Sequence, residues 1–502
     1  MSVTILRCDQ AIFTSVRTPM GEGYRIIAAS RGLRPGERQT ITRYSPSHDA
    51  LCGSTVGNDA SVAGIRGFAF YPLPGGRLCV AFSSYAGAEH TGRGGKRIYT
   101  HNLIFEKQDF PRCAYNPFTV LRAMIEAQGT SPQLKPPTTL PELELVITES
   151  ALGVARATLN PTLGPAWWGH VLQTLLDERN LIVNVADSWF EVAEALLIGL
   201  PGPMREGISF GAGLRFSVAR CHHLSLLHDD NGTTKTRITG LPVEYIDPTA
   251  KPEPPAKRST RITCWNGASA WLSFVERHWA GGDTPKLARR TSKAFTDVGE
   301  SGRERVGRLY NEIDAIPDTD IAELLSLAAR HLSEPERGVE ASIAAEFMVA
   351  AQRALLERLS GTTWDDASRH WHTLCTIGRQ SEEGHLFTQP LIEQALHLAN
   401  RKHATIAAEA ALELTTPHLP LGRPGPSAPL APAADRHTDL IDSVLERLAE
   451  WAEHASDADV EALSHQGTGL EVLVARWRTI RPQCPAVERI SRRCHALASS
   501  TP

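Results

Sequence analysis

The sequence predicts an α+β protein with a β-rich N-terminal domain, a mixed α/β middle domain and an all-α helical C-terminal region. Three observations predict it. Short runs of aromatic and β-branched residues, bounded by Gly, Pro, Ser or Asn, fill roughly the first 110 residues. Strand-like and helix-like runs then alternate as far as Ile246. From Arg261 onward a 3.6-residue apolar period dominates.

In the first part, Ala11–Val16, Tyr24–Ala29, Gly67–Leu73, Arg77–Ser83 and Ile98–Phe105 read as strands. Gly75 and Gly76 stand between two of them and can take the positive φ angles of a tight hairpin. Pro72 predicts that the first arm is an edge strand or ends there. Pro117 to Gln128 reads as a helix, and proline-rich Ser131–Pro141 as a linker.

In the middle part, Leu143–Ile147 is strand-like. A helix over Trp167–Glu178, a strand Leu181–Val185 and a helix over Ser188–Gly199 follow. Gly207–Phe210 and Leu214–Arg220 read as two more strands, and Asp247–Lys257, with four prolines, as a second linker.

In the last part, Ile321, Leu324, Leu325, Ala328 and Leu332 share one helix face, with Asp320 and Glu323 placed as N-cap and reciprocal partner. Ile343, Phe347, Ala350 and Leu355 continue the pattern. Ile441, Val444, Leu445, Leu448 and Ala452 form another stripe. Such faces must stack on one another, but no fixed-period motif defines a solenoid. The Pro/Ala-rich stretch Thr415–Ala434 reads as a third linker. The expected domains are therefore 1–130, 142–247 and 261–414, with a small helical segment over 435–502.

The 502-residue length is too great for one core; at about 150 residues per domain it suggests roughly three. A net charge of −4 excludes a whole-protein basic field for nucleic acid. Arg7 and Asp9 interrupt any secretory signal at the start, and no apolar run is long enough to span a bilayer. Nine scattered cysteines, without a CxxC pair, fit reduced thiols in a cytoplasm.

Candidate chemistry is sparse. Gly207-Ile-Ser209-Phe-Gly211 matches the serine-hydrolase G-x-S-x-G pattern, but a nucleophile elbow needs a strand before it and a helix after it. Here the flanks predict neither. Thr91-Gly-Arg93-Gly-Gly-Lys96-Arg97 is a basic glycine-rich loop able to hold an anion, although it lacks the phosphate-loop serine or threonine. Cys221, His222, His223 and His228, then His370, His372 and Cys375, then Cys484, Cys494 and His495, supply isolated ligands without a second close pair for zinc. They read as core thiols and satisfied histidines. His101, a residue type whose intrinsic pKa lies near neutrality, could serve as an acid or base, but the sequence shows no partner for it and a structural role is the expectation. Trp265, Trp271 and Trp279, like Trp167 and Trp168, read as packing aromatics. The sequence assigns no catalytic residue, no metal and no cofactor.

Gln10-Ala-Ile-Phe-Thr-Ser, Gly21-Glu-Gly-Tyr24-Arg-Ile-Ile-Ala-Ala-Ser30, Tyr85-Ala-Gly, Thr91-Gly-Arg93-Gly94-Gly and His101-Asn-Leu-Ile-Phe resemble a family of bacterial GTPase-associated proteins of NTP-dependent conflict systems. Leu200-Pro and Arg205-Glu-Gly-Ile-Ser-Phe210 are similar to that family's middle domain. The resemblance covers roughly the first half. It implies an adaptor that works with a GTPase and effector proteins, and it carries over no catalytic residue; taken with the charge, hydropathy and cysteine usage above, the expectation is a cytoplasmic, non-enzymatic adaptor or scaffold with no membrane or nucleic acid engaged. The resemblance marks Tyr24, Arg93, His101 and Arg205 as candidate ligand- or partner-binding residues, and the basic loop read above adds Lys96 and Arg97, with a possible anionic ligand there. Two alternatives stay open: a hydrolase or nucleotide-processing enzyme using His101 and Ser209 or the basic loop, and a nucleotide or second-messenger sensor. The enzyme reading requires His101 and Ser209 to converge within about 3 Å.

Overall fold

The computed structural model describes residues 4–18, 21–52, 64–89, 96–127, 129, 132–133, 135–153, 164–177, 179–185, 189–229, 233–247, 269–293, 299–334 and 339–398, with short stretches between 445 and 498. Arg93, Gly94, Trp265, Ile441, Val444, most of the second linker and the whole third linker lie outside the described residues, as do the side chains of Trp167, His372 and Cys375. The chain forms two compact units, Met1–Asn311 and Glu312–Pro502.

The first unit begins with β1 (Thr4–Thr18), β2 (Gly21–Ser30), α1 (Pro35–Tyr44), β3 (Ile65–Pro72), β4 (Arg77–Ala88), β5 (Lys96–Glu106) and α2 (Pro117–Glu126). Next come β6 (Thr139–Leu140), β7 (Leu143–Ile147), α3 (Glu149–Leu152), α4 (Gly164–Leu176), β8 (Asn180–Asn184) and α5 (Trp189–Ile198). It continues with α6 (Gly202–Arg205), β9 (Phe210–Ala212), β10 (Leu224–Leu227), α7 (Thr233–Arg237), β11 (Val243–Ile246), α8 (Ala270–Ala280), α9 (Thr284–Thr291) and, as far as Asn311, α10 (Glu300–Ala315).

All the strands join one sheet in the order β11-β8-β10-β9-β3-β4-β5-β1-β2-β6, with β7 on the first residues of β1. The N-terminal strands β3, β4, β5, β1 and β2 pair antiparallel, while β11, β8, β10 and β9 are parallel. Phe68, Ala69 and Phe70 of β3 pair with Ala212, Gly211 and Phe210 of β9 and join the two halves. The β3–β4 hairpin turns through Gly75 and Gly76 at φ +87° and +86°, as the glycine pair predicts. Pro72 ends β3, which is an interior strand.

Several segments differ from the sequence expectation. Leu214–Arg220 is not a strand: Leu214 makes one bridge to Leu51, and Val218–Arg220 is a short 3-10 turn. Part of the proline-rich stretch before Leu143 pairs with the sheet edge as β6. Helix α1 and strands β10 and β11 carry too little periodic signal over four to ten residues to be read alone.

One sheet face is aromatic. Phe68, Phe70, Phe110, Phe118 and Phe210 pack with ring centroids 4.7 to 6.1 Å apart, and helix α2 delivers Phe118. Each such buried ring contributes about 1.5–3 kcal/mol. The opposite face receives α1 through Ile41 and through Tyr44, which stacks on Tyr71 at 4.4 Å. Trp271 of α8 is fully buried and donates its Nε1–H to the Gly199 carbonyl. Phe274 stacks on Tyr310. Trp168, Trp271 and Trp279 are all buried, as their reading as packing aromatics expects.

In the second unit, α11 (Ile321–Ser333), α12 (Val339–Ser360), α13 (Trp364–Arg369), α14 (Trp371–Gln380) and α15 (Glu382–Leu398) stack around one core. Leu324, Leu325 and Ala328 are buried, and Asp320 Oδ1 accepts the Glu323 N–H at 2.8 Å, the cap its position predicts. Phe347 and Leu355 join them, with Leu445 and Leu448 and, from a helix over Pro485–Ala498, Val487 and Ile490. Among the described residues no helix is long and apolar enough to cross a membrane.

Candidate functional site

The candidate residues fall into two surroundings. Tyr24, Lys96 and Arg97 gather at one end of the antiparallel half-sheet, where β1 turns into β2 and β5 begins. Gly21 and Gly23 enter β2 at φ +133° and +152°, backbone that side chains rarely adopt. Tyr24 then reaches across β1. Its hydroxyl accepts the Ile98 N–H at 3.1 Å and donates to Glu89 Oε2 at 3.1 Å. Its ring stacks on Phe13 and meets the His48 ring edge-on at 4.9 Å. Burial, with Glu89 beside it, pushes the phenol up to about 12, so it acts as a donor at neutral pH.

Lys96 stands opposite Ala88 and places its ammonium 4.9 Å from the Tyr85 ring centre. Arg97 donates from Nε and Nη2 to the Ala86 carbonyl, bridging the irregular register between Tyr85 and Ala88. Arg93, the central cation of the expected loop, lies outside the described residues.

His101 and Arg205 are elsewhere and are enclosed. His101 is 7% exposed, donates from Nε2 to Gln10 Oε1 at 2.9 Å and packs on Phe82. Burial lowers its pKa to about 4, so it is neutral across the physiological range. Arg205 is 1% exposed and donates to the carbonyls of Ile198, Leu200, Ala114 and Tyr115 and to the Thr291 hydroxyl. Burial drives its pKa down to about 9, partly offset by Glu194. It clamps the end of α5, the turn before α2, and α9. The Glu194 carboxylate is itself buried and accepts from Asn116 and Arg122.

His101 and Ser209 do not converge. They sit on β5 and beside β9, three strands apart, about 14 Å across the sheet. Ser209 instead meets His223. Its N–H donates to His223 Nδ1 at 2.9 Å, its hydroxyl lies 3.0 Å from the same nitrogen, and it accepts the His223 N–H at 3.1 Å. The serine is 2% exposed and follows α6, leading into a three-residue strand. That geometry cross-links β9 to β10; it is not the strand–elbow–helix that exposes a nucleophile.

Of the histidine and cysteine groups, His222 is buried against Tyr44 and sits where any side chain at Gly211 would be, within 3.0 Å of a built Cβ. Burial, with Arg220 and His223, lowers its pKa to about 3. Cys221 Sγ accepts from Asn180 Nδ2. Among the described residues no cluster of three His, Cys, Asp or Glu groups could hold a metal.

Two polar groupings escaped the sequence reading. Arg77 lies between Glu37 and Asp9, donating from Nε to Glu37 Oε1 at 2.8 Å and from Nη1 to Asp9 Oδ2 at 2.6 Å. Pro35 and Glu37 after Arg34 are the helix-start signal that would have found Glu37. The other is Glu89 with His48, whose only trace in the sequence is a charge after a run of small residues.

Residues 7–146, less than a third of the chain and spanning β1 to β7, match the family model of GTPase-associated protein 1, N-terminal domain type 2. The matched stretch contains Tyr24, Lys96, Arg97 and His101 but not Arg205. No curated protein and no solved structure matches the chain.

Proposed function

We propose that the protein is a non-enzymatic adaptor of a GTPase-centred bacterial conflict or signalling system, binding a GTPase and effector proteins. The family match over residues 7–146 supports the GTPase link. The observation that carries the adaptor reading is the fate of the candidate reacting groups. His101, Ser209 and Arg205 are buried and spend their hydrogen bonds on the protein's own backbone and side chains.

The contact surface in this reading is the sheet end bearing Tyr24, Lys96 and Arg97, where Lys96 is exposed. An acidic partner or an anionic ligand would be steered there by charge. The helical second unit offers stacked amphipathic helices as a further docking platform, with Val349 and Leu386 exposed at 70% and 55%. Co-purification tests the reading: the full chain with a GTPase encoded beside it, loaded with GDP or a non-hydrolysable GTP analogue. Association in either state supports it, and none in any state contradicts it.

A further inference from the structure

Sheet edges carry backbone N–H and C=O groups without a strand partner, and proteins ordinarily shield them with bulges, prolines or inward-pointing charges. The β2 edge is shielded in this way. Its register on β1 shifts between Ile12 and Phe13, Gly21 and Gly23 bend its start, and β6, following Pro136 and Pro137, covers its end.

The β7 edge is not. Its five residues pair with Thr4–Cys8 of β1 in unbroken antiparallel register. Among the described residues no backbone hydrogen bond leaves its other side. No proline stands within it, and Leu145 and Ile147, which point inward, are apolar and buried.

Its outward face is patterned. Val146 is 50% exposed beside its cross-strand partner Ile5 at 45%. Glu144 lies opposite Arg7, whose Nε donates to its Oε1 at 3.2 Å, and Glu142 comes within 3.8 Å of the same nitrogen. One guanidinium thus faces two carboxylates, all three side chains more than half exposed. The local charge is negative and the pair is weakly held.

β1 and β7 therefore present two rows across the strands, an apolar one through Ile5 and Val146 and a charged one through Arg7 and Glu144. A further strand on the free side of β7 extends both rows when it places an apolar residue opposite Val146 and a cation opposite Glu144. In antiparallel pairing the cation follows the apolar residue by two positions, and a second cation two further on meets Glu142. A second copy of β7 fits poorly, because it brings the glutamates of two edges together.

We propose that the free edge of β7 docks an extended segment of a partner protein with the pattern apolar-x-Lys/Arg-x-Lys/Arg, added as an antiparallel strand. Main-chain hydrogen bonds hold the segment, while Val146, Glu144 and Glu142 select its side chains. Along β1 this edge, at Arg7, lies roughly 26 Å from Ser15, the partner of Tyr24. It is thus a surface separate from the one bearing Tyr24 and Lys96, and it stands whether or not the chain binds a GTPase.

Fluorescence anisotropy of the full chain with a labelled peptide, Thr-Val-Thr-Lys-Thr-Lys-Thr, tests it. Saturable binding is expected with a Kd below about 200 µM, weakened about ten-fold when both lysines are replaced by glutamate. The glutamate peptide should regain affinity on a Glu142→Lys/Glu144→Lys chain. Of two peptides N-methylated at alternate residues, one should lose binding and the other keep it, because only every second N–H faces β7. No saturable binding up to about 500 µM overturns the proposal, as do equal effects of the two methylation patterns or binding indifferent to peptide charge. Self-association of the chain that the peptide displaces, seen by analytical ultracentrifugation, also overturns it, since a second copy is then the occupant. If the double variant fails to fold, the lysine and glutamate peptides compared on the unaltered chain decide.

Discussion

Arg77 and Glu37 form a buried two-pronged ion pair, Nε to Oε1 at 2.8 Å and Nη2 to Oε2, that ties the start of β4 to the first turn of α1. The same guanidinium reaches Asp9 of β1 and the Gly32 carbonyl. Three segments of the N-terminal sheet thus share one charge. Arg77→Met leaves two carboxylates without their cation and is expected to cost about 3–5 kcal/mol. Urea unfolding measures it, and a Glu37→Leu/Arg77→Met double variant is expected to recover part of the loss.

The pH dependence follows from groups whose folded pKa is depressed. Burial alone would raise the Glu37 carboxyl, but hydrogen bonds from Arg77 and the Arg34 N–H hold it below its usual value. Its contribution is present above the unfolded pKa and is lost as pH falls through the folded one. His101 behaves alike with its neutral form favoured: stability is full above about pH 6.5 and declines as pH falls toward its folded value of about 4. The loss at that point is about 3 kcal/mol. Thermal melts from pH 7 to pH 4 should show this fall, and His101→Gln should flatten it.

How much was legible follows from range. The Gly75-Gly76 hairpin and the Asp320 cap were readable because their chemistry lies within a few residues. Pairing of β3 with β9 was not, because Phe70 and Phe210 are separated by nearly half of the first unit and neither strand encodes its neighbour. The same limit hid the site chemistry. The resemblance marks Arg205 as a partner-binding candidate, yet its partners are carbonyls at 114, 115, 198 and 200 and a hydroxyl at 291.

Arg205 therefore gives a prediction about stability. Arg205→Ala strands several buried carbonyls and should cost at least about 3 kcal/mol in chemical denaturation. Arg205→Lys should rescue little, since one ammonium cannot address both the α5 end and the turn before α2.

Gly213 follows β9 at φ +70°, and a Cβ there would lie 2.3 Å from the Arg66 carbonyl oxygen and 2.7 Å from the Trp189 ring. Gly213→Ala is expected to destabilise by about 2–4 kcal/mol, read as a lowered urea midpoint. Gly240, at φ +85° with open space around it, should tolerate alanine at roughly 1 kcal/mol.

Ser209 separates adaptor from hydrolase. With its hydroxyl enclosed and engaged by His223, the protein should resist labelling by a fluorophosphonate probe. Stoichiometric modification of Ser209, traced by peptide mass, would contradict the structural assignment.

The adaptor account is tested most directly by the affinity of the full chain for a co-encoded GTPase, measured by surface plasmon resonance in each nucleotide state. The account predicts a complex in at least one state, with association slowed at least ten-fold in Lys96→Glu and unaltered by Ser209→Ala. No complex in any state, or one indifferent to Lys96, would contradict it.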